Sequence, residues 1–149
     1  MSYQTPKIAQ DVRRLRWELE LAVQGFSRFH KYNSGGELRA QVKVVQRVVN
    51  DAWTEDNKVV QAQLLDRLKQ EIDQLKADMQ LAQDVRAFRS PRQFQHLYKQ
   101  ADEIGRQAGG WRKGQQRKHP SAQNPQGHHA GAERGRILST HATPEGVNA

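Results

Sequence analysis

The side chains able to do chemistry are six histidines, 16 Asp+Glu and 24 Lys+Arg, and there is no cysteine. Without thiols the chain has no disulfide, cysteine nucleophile, zinc–thiolate site or iron–sulfur cluster. Helical proteins that hold paired metals use Glu-x-x-His on facing helices, and neither that pattern nor His-Glu-x-x-His occurs here. His30 falls at a predicted helix end, and His96 has no acid three or four positions away to orient it. His128-His129 lies in a polar stretch with no rigid scaffold to supply further ligands, and reads as solvated chain. Gly35-Gly36 and Gly109-Gly110 are not phosphate-binding loops, because no Gly-Lys-Ser/Thr follows and no strand precedes them. The expectation is a non-enzyme with no catalytic residue, metal or cofactor.

The cations carry more information. The formal net charge is +8, which makes a polyanion the first partner to consider. Arg39, Lys43 and Arg47 follow at steps of four with no carboxylate interleaved on their face. Arg13, Arg14 and Arg16 cluster early, Arg28 and Lys31 follow, and Arg86, Arg89 and Arg92 crowd a predicted turn. Arg112 and Lys113, with Arg117 and Lys118, form a further group. Elsewhere the signs mix: Arg67 and Glu71, and Lys69 and Asp73, sit at the four-residue spacing that lets opposite charges meet on a helix. Separate like-charged clusters raise self-repulsion, which favours polyanion contact over a merely solvated surface. No sequence-reading module is visible, so binding is expected to address backbone and shape.

The elements that must position these groups are helices. Ile8, Val12, Leu15, Leu19, Ala22, Phe26 and Phe29 recur at alternating steps of four and three, one stripe along one face. Three more stripes follow: Leu38, Val42, Val45, Val49, Ala52; then Leu65, Leu68, Ile72, Leu75, Met79, Ala82; then Phe94, Leu97, Ala101, Ile104, Ala108, Trp111. Ser34-Gly35-Gly36-Glu37 fits a capping box, and Ser90-Pro91-Arg92-Gln93 fits another with proline at the first helical position. Thr54-Glu55-Asp56-Asn57 separates the second and third helices. Helices near 6–30, 35–53, 57–88 and 91–112, joined by short connections, predict an all-α, antiparallel up-down-up-down four-helix bundle. Trp17, Leu21, Val23, Val44 and Val48 widen the apolar faces of the first two helices, serving either a larger core or a core plus a subunit interface.

Residues 1–113 form this patterned body. Residues 114–149 hold only Ile137, Leu138 and Val147 as larger aliphatics, beside five glycines and three prolines, and read as a disordered polar, basic tail. No apolar run approaches the roughly 18–20 residues that cross a bilayer. Met1-Ser2-Tyr3-Gln4-Thr5-Pro6 has no basic stretch leading into an apolar one, so a cytoplasmic protein away from membranes is expected.

Two stretches carry a family resemblance. Lys31, Tyr32, Gly35, Glu37, Leu38 and Arg39 meet a Lys-Tyr-x-x-Gly-x-Glu-Leu-Arg pattern, and Gly105, Arg106, Gly109, Gly110 and Trp111 meet Gly-Arg-x-x-Gly-Gly-Trp. Over about residues 8–113 the chain resembles the four-helix-bundle family of the accessory variability determinant (Avd) of diversity-generating retroelements. That family also includes relatives encoded inside ribosomal RNA intervening sequences. Asn33-Ser34 departs from the Thr-Leu more usual in the first motif, and residues 114–149 have no counterpart.

The resemblance implies a homopentamer, a barrel of bundles with a basic surface, encoded by a bacterium or phage. It implies a non-catalytic protein that binds the element's reverse transcriptase and its template RNA, or an RNA/DNA hybrid, during mutagenic cDNA synthesis. Lys31, Arg39 and Arg106 become motif cations for partners, and the motif glycines and Trp111 are expected to fix turns and packing. An orphan bundle of the intervening-sequence type and a purely structural homo-oligomer remain alternatives. A reverse-transcriptase gene beside this one, or a position inside a ribosomal RNA gene, separates the first two.

Overall fold

The computed structural model describes residues 4–118, and within them the chain is all helix, bend and turn. Five helices follow one another: α1 (Lys7–Gln24), α2 (Arg28–Tyr32), α3 (Ser34–Thr54), α4 (Lys58–Asp84) and α5 (Pro91–Lys118). The four long ones share one apolar core. Helix α1 packs on α3 and α5, and α4 also packs on α3 and α5. The stripes read from the sequence are that core: every residue of the second and third stripes is buried, as are Leu97, Ala101, Ile104 and Ala108 of the fourth. Burying a leucine- or valine-sized side chain contributes about 1.5–3 kcal/mol, so these faces dominate the stability.

The first predicted helix does not run to residue 30. Gly25 closes α1, its amide donating to the Ala22 carbonyl and the Phe26 amide to that of Val23, and Ser27 caps the separate helix α2. The interruption breaks the stripe at its last step: Phe26 is buried while Phe29 is 70% exposed. Helix α2 then enters α3 with only Asn33 between them. Ser34 is therefore already helical and lacks the extended backbone that a cap residue needs, so the Ser34–Glu37 capping box does not form. Asn33 instead closes α2, its side-chain amide donating to the Phe29 carbonyl at 2.7 Å.

The later punctuation is closer to expectation. Asn57 caps α4 by accepting the Val59 and Val60 amides at 2.9 and 3.1 Å. Ser90 Oγ accepts the Gln93 amide at 3.1 Å, with Pro91 opening α5, and the Gln93 side chain reaches back to the Arg89 amide at 3.0 Å. Helix α4 ends at Asp84, four residues earlier than predicted. The Ala87 amide returns to the Ala82 carbonyl and the Arg86 amide to that of Gln83, a Schellman closure with Arg86 at φ 61°. Ala87 and Phe88 then turn inward to the core.

Helix α5 runs on through Gly114 to Lys118, past the expected helix end at 112 and across the 113/114 boundary. Buried polar contacts account for the extra turn. The Gln115 amide donates to Gln61 Oε1, and Gln61 Nε2 donates to the Ala52 carbonyl at 2.8 Å. The remainder of the predicted tail, including His128-His129, lies outside the described residues.

The motif glycines divide by role. A Cβ at Gly35 would lie 2.6 Å from Val23 Cγ1 and 3.1 Å from the His30 carbonyl oxygen, so this glycine lets α3 start tight against α1 and α2. Gly109 and Gly110 lie inside α5 with nothing within 4 Å of an added Cβ, so they fix neither a turn nor a contact. In thermal melts Gly35→Ala should lower stability by about 1–3 kcal/mol, an overpacked core's usual cost. Gly109→Ala should raise it by about 1 kcal/mol, the helix-propensity difference. A neutral Gly35→Ala would show that the close approach at the start of α3 is not a constraint.

Candidate nucleic-acid interface

Helix geometry and the partners that each cation meets sort the sequence-derived site residues into distinct places. On α1 and α3, Arg16, Arg39 and Lys43 line a groove of about 380 Å³ together with Glu20. Arg13 and Arg47 are exposed on the same two helices. Contrary to the expectation from spacing within one helix, a carboxylate does reach the Arg39 stripe, from α1. Arg39 Nε and Nη2 each donate to Glu20 at 2.9 Å, a two-pronged pair on which the geometry of guanidinium and carboxylate agrees. Arg16 donates to Gln46 Oε1. Lys43, Arg47 and Arg13 make no ion pair among the described residues.

The second gathering lies where α1 ends, α3 starts and α4 turns into α5. Phe26 meets Phe88 edge-on at 5.2 Å between ring centroids, and Phe88 meets Phe94 at 5.7 Å. That contact ties the α2 region, with Arg28 and Lys31, to the turn carrying Arg86, Arg89 and Arg92. All but the half-buried Lys31 are exposed.

The remaining cations are largely claimed by the bundle itself. Arg14 pairs with Glu18 at 3.0 Å. Arg106 pairs with Asp102 at 2.8 Å and with Glu103 at 3.3 Å. Arg112 is buried, 8% exposed, with Nε on Asp66 Oδ1 at 3.0 Å, so it does not face solvent as the surface reading expected. Its Nη1 and Gln115 Oε1 are buried without a partner. Lys113 is exposed and lines a groove of about 530 Å³ between α4 and α5 with Lys69 and Asp73; Lys76 pairs there with Asp102 at 2.9 Å, while the Lys69–Asp73 pair expected from their spacing is not made.

Two features are missing from the sequence reading. His96 does have an orienting carboxylate, Glu18 of α1, at 2.8 Å, and Gln100 donates to the same oxygen at 2.9 Å. His96 borders a groove of about 430 Å³ with Asp11, Lys99, Gln100 and Glu103; a carboxylate-held imidazole can move a proton, but no hydroxyl lines this groove to be activated. Phe29 and Tyr32 were also missed as surface groups, 70% and 73% exposed. The alternation Arg28-Phe29-His30-Lys31-Tyr32 was the available signal. Among the described residues no three metal-ligating side chains gather, and no helix is long and apolar enough to cross a membrane.

Cross-helix pairs also set the acid behaviour. The Arg39 guanidinium holds the Glu20 carboxyl below its ordinary value. Lys76, and then Arg106, do the same for Asp102. At Glu18 burial pushes upward, but hydrogen bonds from Gln100, His96 and Arg14 outweigh it and the net direction is down. Asp11 follows the same pattern, with burial outweighed by Lys7 and Gln107.

No protein-family model matches the chain, and no curated protein matches it.

A carboxyl whose value is lower in the folded state stabilises the fold above its unfolded value and loses that contribution as pH falls through the folded one. The melting temperature should therefore fall once pH drops below about 4.5, where unperturbed carboxylates begin to protonate. Glu18→Gln should flatten that acid limb. A melting temperature unchanged between pH 5 and pH 3 would show that these pairs contribute nothing.

Proposed function

We propose that the chain is a non-catalytic accessory subunit of a diversity-generating retroelement, binding the element's reverse transcriptase and template RNA to support mutagenic cDNA synthesis. The observation that carries this reading is the set of exposed cations left unanswered by the bundle's carboxylates. Arg13, Lys43 and Arg47 lie on α1 and α3, and Arg28, Arg86, Arg89 and Arg92 at the α2 end. A rigid body presenting separated cations adds many weak phosphate contacts and holds structured RNA without reading its sequence. The two motifs, Lys31 to Arg39 and Gly105 to Trp111, supply the link to the retroelement rather than to RNA in general.

The antiparallel up-down-up-down arrangement is supported by the register of cross-helix bonds. Ascending residues of one helix meet descending residues of the next: Arg16 with Gln46 and Glu20 with Arg39; Gln41 with Glu71 and Ala52 with Gln61; Asp66 with Arg112 and Lys76 with Asp102. Assembly into a ring, five copies by the resemblance, is supported by what the core leaves uncovered. Val23 and Val48 are absorbed into the core, but Trp17 and Leu21, one turn apart on α1, stay 64% and 48% exposed. A paired tryptophan and leucine on an otherwise charged helix is the kind of apolar surface that another subunit covers.

Two measurements test these readings. In RNA titrations at several salt concentrations, Arg13→Gln/Lys43→Gln/Arg47→Gln should weaken binding without regard to sequence and make the salt slope shallower by about two to three. Helicity should be unchanged, because exposed substitutions away from caps cost within about 0.5 kcal/mol each. No RNA binding by the unaltered protein would overturn the accessory role. Light scattering should give a mass several times that of one chain, reduced by Trp17→Glu/Leu21→Glu; a monomer at micromolar concentration would overturn the ring.

A further inference from the structure

Helix α2 contributes no buried residue, yet it is held rigidly. Ser27 Oγ accepts the His30 amide at its start, Asn33 closes its end on the Phe29 carbonyl, and Gly35 brings α3 against the His30 carbonyl. The result is a fixed helical turn presenting Phe29 and Tyr32, the two most exposed large hydrophobic side chains among the described residues. They stand three positions apart and so share a face, with Arg28 directly before Phe29 and Lys31 directly before Tyr32.

The turn joined to this helix by the Phe26–Phe88 contact adds a second, independent anomaly. Arg86 adopts φ 61° at the position of a Schellman closure where glycine is the lower-energy residue, because an L side chain there crowds its own backbone. Beside it is a groove of about 620 Å³ to which Arg86, Phe88, Arg89 and Pro91 contribute, with Asp84 as its carboxylate. A non-glycine residue at a strained position, with its charged side chain exposed at a groove, is the kind of backbone outlier that clusters at functional sites.

We propose that α2 and the α4–α5 turn form one site for an unpaired stretch of RNA. Phe29 and Tyr32 stack on successive bases, while Arg28, Lys31, Arg86, Arg89 and Arg92 take the flanking phosphates. Exposed rings alternating with cations match a single strand, whose bases offer free faces, and not a duplex, whose bases already stack on one another. Charge decides against a second copy of the chain as occupant, since two such ends would set cation against cation. The site rests on the reading of the chain as an RNA-binding protein and specifies which RNA it takes, and where.

The test uses the full chain and a ten-nucleotide adenine-rich RNA carrying 2-aminopurine, whose fluorescence responds to stacking, against the same strand in a duplex. The single strand should bind more tightly and its fluorescence should change. Phe29→Leu/Tyr32→Leu should weaken single-strand binding by on the order of tenfold or more and abolish the fluorescence change. Its duplex binding and salt slope should not move. Phe29→Trp/Tyr32→Trp should restore or tighten binding, which separates stacking from any loss of folding. Arg89→Gln/Arg92→Gln should make the salt slope shallower. The site is overturned if the leucine variant binds the single strand like the unaltered protein, or if 2-aminopurine does not respond. If, in that case, the Arg13, Lys43 and Arg47 variant still weakens binding, the broader RNA-binding role survives; if the unaltered protein binds neither RNA, both fall.

Discussion

The structure turns on how closely α3 can begin beside the end of α1. Val23 Cγ1 and the His30 carbonyl oxygen lie so near the first residues of α3 that a Cβ at position 35 would force one of them to shift. That contact requires the chain to leave helical geometry at Gly25, to make one tight turn as α2, and to re-enter a helix within a residue. It also turns Phe26 inward onto Phe88, so the same packing event joins the α1–α3 connection to the α4–α5 connection. The exposure of Phe29 and Tyr32 follows from it, because a helix that turns this sharply cannot keep every aromatic on the core face.

The distribution of charge follows from the packing of the long helices. Where two helices meet, their edge residues find partners: Arg39 meets Glu20, Lys76 meets Asp102, and Arg112 meets Asp66. Pairs screened by solvent contribute little net stability, and the main effect of each is to neutralise a cation. Positions pointing straight outward, or lying on connections, meet no neighbouring helix. Lys43, Arg47 and the arginines of the α4–α5 turn therefore stay open to solvent, while Arg14, Arg39 and Arg106 are already engaged.

Much of the helix content was legible because core periodicity is a local property of the chain. The stripes from Leu38 to Ala52 and from Leu65 to Ala82 needed no knowledge of their neighbours to be read. The breaks were harder. Gly25 and Ser27 are ordinary helix punctuation, but the 4–3 rhythm continued through them to Phe29 and concealed the turn. Arg86 gave no signal, since glycine is the residue that usually announces a left-handed closure. The C-terminal end of α5 was misread for the opposite reason: Gly114 suggested a stop, and only the distant Gln61 explains why the helix continues to bury Gln115. For the candidate interface, the cation clusters were visible, but which of them are neutralised was not. Glu20 lies 19 positions from Arg39 and Asp66 lies 46 positions from Arg112, and spacing within one helix reports neither.

The glycines of α5 have a consequence for how the molecule comes together. Gly105, Gly109, Gly110 and Gly114 all sit in one helix of 28 residues, each costing about 1 kcal/mol of intrinsic helix preference relative to alanine. Alone, such a segment is a poor helix, and its order is borrowed from the surfaces of α1 and α4 against which it packs. During synthesis α1 emerges first and α5 last among the described helices, and the contact between them spans the longest stretch of chain, as in the bond from Gln107 to Asp11. Until that last helix leaves the ribosome, one flank of α1 has no neighbour and stays open to water. Closure of the helical circuit thus waits on α5, whose glycine-rich helix is completed against the surfaces of α1 and α4.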